Sequence, residues 1–319
     1  MSRLTKKTLY LILICLVVIQ AFFGCTPVEN NSADGSDIIF TDALGRNVSI
    51  HAKPQKVAAL LGSFADVWCL AGGELCASAE DAWDDFGLDP ENAVNIGGAH
   101  SPSLELLISA NPDFVLASAS TASNVEMKDA LEKMGITVAY FDIDNFDDYL
   151  KMLDICTNIT GRKDLYEQNG LALEDRIKKI TEQYKNSDIP QNEKKILLLR
   201  ASSTTLKAKG SEGTILGEML SDIGCINIAD SADSLLENLS VEAVIQENPY
   251  HIFVVTMGSN TDKAIESVEN MIINNPAWNG LDAVKEGRLH FMDKKLYNLK
   301  PNARYAEAFE KLYETLTGK

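Results

Sequence analysis

Ser103-Leu104-Glu105-Leu106-Leu107-Ile108-Ser109-Ala110-Asn111-Pro112 returns in the chain as Ser240-Val241-Glu242-Ala243-Val244-Ile245-Gln246-Glu247-Asn248-Pro249. Serine, glutamate, isoleucine and Asn-Pro keep their offsets. An apolar run follows each copy, Phe114-Val115-Leu116-Ala117 and Ile252-Phe253-Val254-Val255. Serine is a favoured N-cap, and the spacing after it puts Leu104, Leu107 and Ile108, or Val241, Val244 and Ile245, on one helical face. Glu105 and Glu242 fall in the first turn, where the helix dipole favours a carboxylate. Asn-Pro then ends the helix, because the residue before proline is driven out of the α region. The apolar run beyond reads as a buried parallel strand. One first-turn acid is ordinary helix decoration. The same acid once per half points to two matched contacts for an outside partner.

A weaker echo surrounds the repeat. Residues 56–61 read as a strand, and Gly62-Ser63 leads into a helix ending at Gly72-Gly73. Residues 195–199 read likewise, with Gly210-Ser211 leading into a helix that ends at Gly224. Residues 38–50 form a hairpin turned at Leu44-Gly45-Arg46-Asn47. Strand-helix alternation of this kind means an α/β fold with parallel sheets covered by helices. The expected architecture is two lobes, residues 38–144 and 188–319, each with a mainly parallel sheet, and a ligand cleft between them. Between the lobes, residues 145–187 carry apolar side chains at three- and four-residue spacing, from Tyr149, Met152, Leu153, Cys156 and Ile159 to Ile177, Ile180 and Tyr184. Read as one helix of about forty residues, this stretch spans about 60 Å and joins the lobes.

The amino terminus speaks to location. Arg3, Lys6 and Lys7 precede an apolar stretch, residues 9–19, and Phe22-Phe23-Gly24-Cys25 follows. This is the layout of an export signal, residues 1–24, with lipidation at Cys25 and a polar tether over residues 25–37. The apolar stretch is shorter than the roughly twenty residues that span a bilayer. Phe22 and Phe23 depart from the usual small-residue pattern, so a secretory signal with an incidental cysteine is the alternative. The formal charge of −17 falls to −20 once Arg3, Lys6 and Lys7 are removed. That excludes nucleic acid as a partner and any broad electrostatic hold on anionic lipid. Membrane attachment then rests on acyl chains, placing the protein outside the cytoplasm. Of six cysteines, Cys69, Cys76, Cys156 and Cys225 lie in the body without metal-site spacing. Cys69 and Cys76 either pair or stay as separate buried thiols.

At this point the chain resembles the class III substrate-binding proteins of ABC importers, which take siderophores, haem or cobalamin. The resemblance rests on Phe40-Thr41-Asp42-Ala43-Leu44-Gly45-Arg46, Lys53-Pro54-Gln55-Lys56-Val57, both glutamate phrases, Asn275-Pro276-Ala277-Trp278 and residues 283–289. It implies docking of Glu105 and Glu242 on a permease dimer served by ATPase subunits. It also implies a small-molecule ligand. No catalytic or metal-ligating residue is assigned, no cofactor is implied, and the chain is expected to act as a monomer.

Ligands of open α/β sheets bind at the carboxyl ends of strands. The candidates there are Ser63, Phe64, Trp83, His100, Ser101 and residues 118–124 in the first lobe, and Arg200, Lys207, Lys209, Met257 and Tyr297 in the second. Arg200, Lys207 and Lys209 suit an anionic ferric siderophore, because guanidinium and ammonium groups satisfy carboxylate or catecholate oxygens. Haem needs an axial residue, for which His100, Met257 and Tyr297 are the candidates. Cobalamin is the other alternative. An exported enzyme or sensor on the same scaffold is a reading of another class. Against an enzyme, the chain has no G-x-S-x-G elbow, no H-E-x-x-H and no Walker loop. Asp81, Asp84 and Asp85 read as a solvated acidic loop.

Overall fold

Two five-stranded sheets carry the chain. The computed structural model describes residues 37–50, 53–89, 91–258 and 260–318; residues 37–319 form one compact unit. Cys25, with the signal and tether preceding residue 37, lies outside the described residues. The strands β1 (Ile38–Thr41) and β2 (Asn47–Ile50) form an antiparallel hairpin. The first sheet holds β3 (Val57–Ala59), β4 (Leu75–Ser78), β5 (Val94–Asn95), β6 (Phe114–Ser118) and β7 (Thr137–Phe141). All its pairs are parallel, in the order β5-β4-β3-β6-β7. The second holds β8 (Lys195–Ala201), β9 (Leu206–Lys209), β10 (Ile226–Asn227), β11 (His251–Thr256) and β12 (Leu289–Met292). Its path is β10-β8-β11-β12, parallel throughout, with β9 antiparallel on the far half of β8.

Every residue of β6 and β11 is buried, as expected for strands covered by helices on both faces. Alternation sends Ile196, Leu198, Phe253 and Val255 into a core shared with the connecting helices. Leu197, Leu199, Ile252 and Val254 enter a second core, closed by Trp278, Leu281 and Ala283.

The two repeats fold as their sequences direct. Ser103 Oγ accepts the Leu106 amide and Ser240 Oγ the Ala243 amide, each at 3.3 Å, capping helices Leu104–Ser109 and Val241–Glu247. Leu107 and Val244 are fully buried, but Ile245 is 46% exposed, because its helix meets the core along a narrower stripe than the spacing suggested. Asn111 and Asn248 end these helices in the left-handed region, at φ 52° and 45°. The asparagine therefore closes the last turn before proline stops it.

The connection between the sheets differs from the single helix expected. Helix Phe146–Thr160 stops at Gly161, whose φ of 75° only glycine adopts cheaply. A new helical rod starts at Lys163, widens into a π turn at Glu167–Leu171 and runs on as helix Ala172–Lys185. Its 1.5 Å rise gives a rod of roughly 34 Å. Gly161 and Gly170 interrupt the apolar pattern in the sequence, but a single glycine is tolerated inside a helix, so the break itself was not fixed by it. Phe146 and Tyr149 pack against Tyr305 of the last helix, Tyr305–Thr317, with ring centroids 5.2 and 5.7 Å apart.

The phrase Asp42 to Arg46 fastens the hairpin to β7. The fully buried Asp42 carboxylate accepts the Leu44 and Arg46 amides at 3.0 Å and the Arg46 guanidinium at 2.6 Å. It also accepts the Tyr140 amide at 3.3 Å. Arg46 reaches on to Glu132 and to the Val138 carbonyl. Burial alone would raise the Asp42 pKa, but the Arg46 side chain and the backbone donors outweigh it and hold the group below its ordinary 3.8. A carboxyl lowered by folding adds stability above its unfolded value, and that stability is lost as pH falls through the folded one. Asp42→Ala is expected to cost about 3 kcal/mol by leaving Arg46 and the turn amides without their acceptor. It should also flatten the stability loss below about pH 4; urea unfolding of both proteins between pH 3 and 7 measures both effects.

Candidate functional site

The carboxyl ends of both sheets meet. Lys294, just beyond β12, lies 3.4 Å from Asp85, just beyond β4. Asn302 donates to the Ser63 carbonyl at 2.9 Å and to Asp66 at 2.8 Å. The loops between these contacts are where a ligand of an open α/β sheet binds.

The second sheet brings three cations together. β8 pairs with β9 so that Arg200 stands opposite Lys207 and Leu198 opposite Lys209. Directly opposed side chains share a sheet face, so all three cations project from one side. None of them has an ion-pair partner among the described residues, and Arg200 Nε is buried without an acceptor. Burial lowers the Arg200 pKa. Burial first, then the charges of Arg200 and Lys207, lower that of Lys209. A buried donor without a partner costs on the order of 1–3 kcal/mol, so the folded chain holds this guanidinium against its own stability. Arg200 and Lys209 line a cavity of about 660 Å³ with Gly210, Ser211, Thr214 and Asp230.

The loop from Gly210 to Thr214 forms the wall of that cavity. Thr214 Oγ1 caps helix Ile215–Ile223 by accepting the Gly217 amide at 3.2 Å. Asp230, in the short turn Ile228–Ser231 that follows β10, accepts the Ser211 amide at 2.7 Å and its hydroxyl at 2.6 Å. Sequence reading noted Gly210-Ser211 only as a helix start and missed Asp230. The usable signal was a spacing: Asp81 accepts the Gly62 amide at 2.9 Å, and both aspartates lie nineteen residues beyond their partners.

In the first sheet the acidic loop is not simply solvated. Asp81 holds the start of helix Gly62–Leu70, and Asp85 pairs with Lys294. Gly62 is required there, since a Cβ would lie 2.5 Å from the Ala82 nitrogen. Burial raises the Asp81 pKa, opposed by the Gly62 amide and by His100. His100 and Ser101 are exposed on the loop after β5, and Trp83 is half-buried beside the core. Met257 is 44% exposed at the end of β11, its amide donating to the Ala201 carbonyl at 2.9 Å.

Other candidates serve packing. Phe64 is fully buried, edge-on to Phe141. Tyr297 is buried with its hydroxyl bonded to the Ala308 carbonyl at 2.9 Å. Both were expected in the cleft, yet each points inward from its helix into the shared core. Ser63 is buried under Asn302, and Ser118 and Asn124 are tied together inside the first lobe. Cys69, Cys76, Cys156 and Cys225 are free thiols.

Glu105 and Glu242 are both exposed in the first turns of their helices. A helix that precedes a parallel strand begins at that sheet's carboxyl edge, and the Ser103 amide indeed donates to Ile96, just past β5, at 2.7 Å. Both carboxylates thus lie at the carboxyl edges of their sheets. Two matched lobes, carboxyl edges apposed, are the arrangement of one family, and residues 57–296 match it.

The chain belongs to the periplasmic binding protein family. This binding protein is 22% identical over 322 residues to YhfQ of Bacillus subtilis (strain 168), named as an ABC transporter substrate-binding lipoprotein, with 95% of each chain covered. It is 25% identical over 304 residues to YfmC of the same organism, an Fe(3+)-citrate-binding protein, covering 89% of this chain and 87% of that one. Its fold matches Staphylococcus aureus SirA complexed with staphyloferrin B at a TM-score of 0.68 and 21% identity, covering 88% of this chain and 98% of that one. The family is one of binding proteins, not of enzymes.

Arg200→Met should raise the stability of the binding protein by about 1 kcal/mol in urea unfolding, since it removes the unpartnered donor at similar length. An Arg200 that instead stabilises the fold would show a loss of similar size.

Proposed function

We propose that this binding protein captures a ferric chelate with anionic oxygen donors, a ferric siderophore or ferric citrate, and delivers it to an ABC importer. The carrying observation is the group Arg200, Lys207 and Lys209, which gathers three positive charges without counter-ions at the ligand edge of an acidic chain. Carboxylate and catecholate oxygens satisfy such groups, and iron wrapped by its chelator needs no ligand from the protein. The Fe(3+)-citrate-binding relative and the SirA complex support this reading. His251 and His290 bond to each other at 2.9 Å near the opposite, amino-terminal ends of β11 and β12, far from a haem-ligating position at the rim.

Residues 1–24 serve as the export signal, Cys25 carries the lipid, and residues 25–37 tether the lobes outside the membrane; the lipoprotein relative supports this. The monomer docks through Glu105 and Glu242, whose exposed rim charges set register with a basic permease surface more than raw affinity.

Tryptophan quenching against ferric siderophores, ferric citrate, haem and cobalamin tests the ligand. A ferric chelate is expected to bind below about 10 μM, roughly 7 kcal/mol, and Arg200→Ala with Lys209→Ala to weaken it at least about tenfold. Tight binding of haem or cobalamin alone would overturn the iron-chelate assignment. Glu105→Ala with Glu242→Ala is expected to abolish import while ligand affinity stays unchanged; import at the native rate removes the docking role.

A further inference from the structure

Asp230 is exposed and lines the same cavity as Arg200 and Lys209. Its two oxygens are both engaged by Ser211, one by the amide and one by the hydroxyl. The first lobe repeats the device, with Asp81 on the Gly62 amide at the same nineteen-residue spacing. In the second lobe this clasp ties the 210–214 loop, which no strand pairing holds, and so fixes where the cavity wall stands. The rest of the 210–214 wall is tied by the Gly213 amide to Glu218 and by the Gly217 amide to the Thr214 hydroxyl, each at 3.2 Å. The clasp also leaves a negative charge beside the cations. Arg200 and Lys209 face the cavity, and Asp230 and Glu212 face it with the opposite sign.

Resting on the anionic-ligand reading above, we infer that Asp230 is the positioning residue of the 210–214 wall and sets how much negative charge the cavity accepts. The carboxylate offsets part of the attraction that Arg200 and Lys209 exert. A polyanion feels that offset in proportion to its charge, and a neutral chelate does not feel it. The cavity therefore discriminates against the most highly charged chelates, although its walls are basic.

Two variants separate the roles. Asp230→Asn keeps the clasp, since the side-chain carbonyl still accepts the Ser211 amide and the side-chain amide donates to the Ser211 hydroxyl. Asp230→Ala removes clasp and charge together. Three readouts are used: amide hydrogen exchange over residues 211–214, the Arg200 Nε–H resonance titrated with iron-free citrate, and quenching by ferric citrate and by a neutral ferric trihydroxamate. Asp230→Asn is expected to keep native exchange, tighten citrate by about tenfold and leave the neutral chelate within about twofold. Asp230→Ala is expected to speed exchange and weaken both chelates. Citrate binding no tighter in Asp230→Asn, or no citrate response at Arg200 in any variant, overturns the charge role. Native exchange in Asp230→Ala overturns the positioning role. Should no iron chelate bind the native protein, the iron reading falls, while exchange and the citrate titration still decide the role of Asp230.

Discussion

One continuous apolar core governs this molecule. It runs from Phe114 and Phe141 of the first sheet, through Phe146, Tyr149 and Tyr305, to Ile196, Leu198 and Phe253 of the second. Each sheet closes a smaller core of its own on its other face, but this shared core ties the two together. Close-packed interiors resist continuous deformation. Motion of one sheet relative to the other must occur without opening the aromatic contact of Phe146 and Tyr149 with Tyr305. Asn302 adds a polar constraint at the same place, since its amide holds both Ser63 and Asp66. Burial raises the pKa of the half-buried Asp66, and the Asn302 bond opposes that rise.

Charge in the binding region is divided unevenly between the lobes. The first lobe presents carboxylates, Asp81 and Asp85, each already committed to Gly62 or Lys294. The second presents uncommitted cations on the β8–β9 face. Under the proposed function, an anionic guest would be drawn to the second lobe's side. This asymmetry exists within a chain of strongly acidic composition, so the local arrangement of charge, and not the net charge, decides what the site attracts.

Much of the architecture was legible in the sequence because caps, helical spacing and apolar runs are local signals. Ser103 and Ser240 cap as read, and residues 114–117 and 252–255 lie in buried parallel strands. Gly161 and Gly170 stood out in the sequence as interruptions, but a lone glycine does not by itself distinguish a helix end from a tolerated interior position. Phe64 and Tyr297 were placed at the ligand edge by their position in the chain, but position does not fix side-chain direction, and both turn inward. The phrases most typical of the family prove to be fasteners: Asp42 with Arg46 anchors the hairpin, and Trp278 closes the second core. Residues conserving a scaffold say little about its guest, which is why the cavity wall around Asp230 emerged only from long-range hydrogen bonds.

The hairpin fastener has a mechanical meaning. Residue 37 leads straight into β1, and the body beyond is gripped at Asp42 by Arg46 and Tyr140. Any tension applied to the amino end travels along a four-residue strand and is received by a buried carboxylate before it reaches either sheet. The hairpin is thus the first part of the described chain to bear a pull on residue 37, and its buried carboxylate is the point where that load passes to β7.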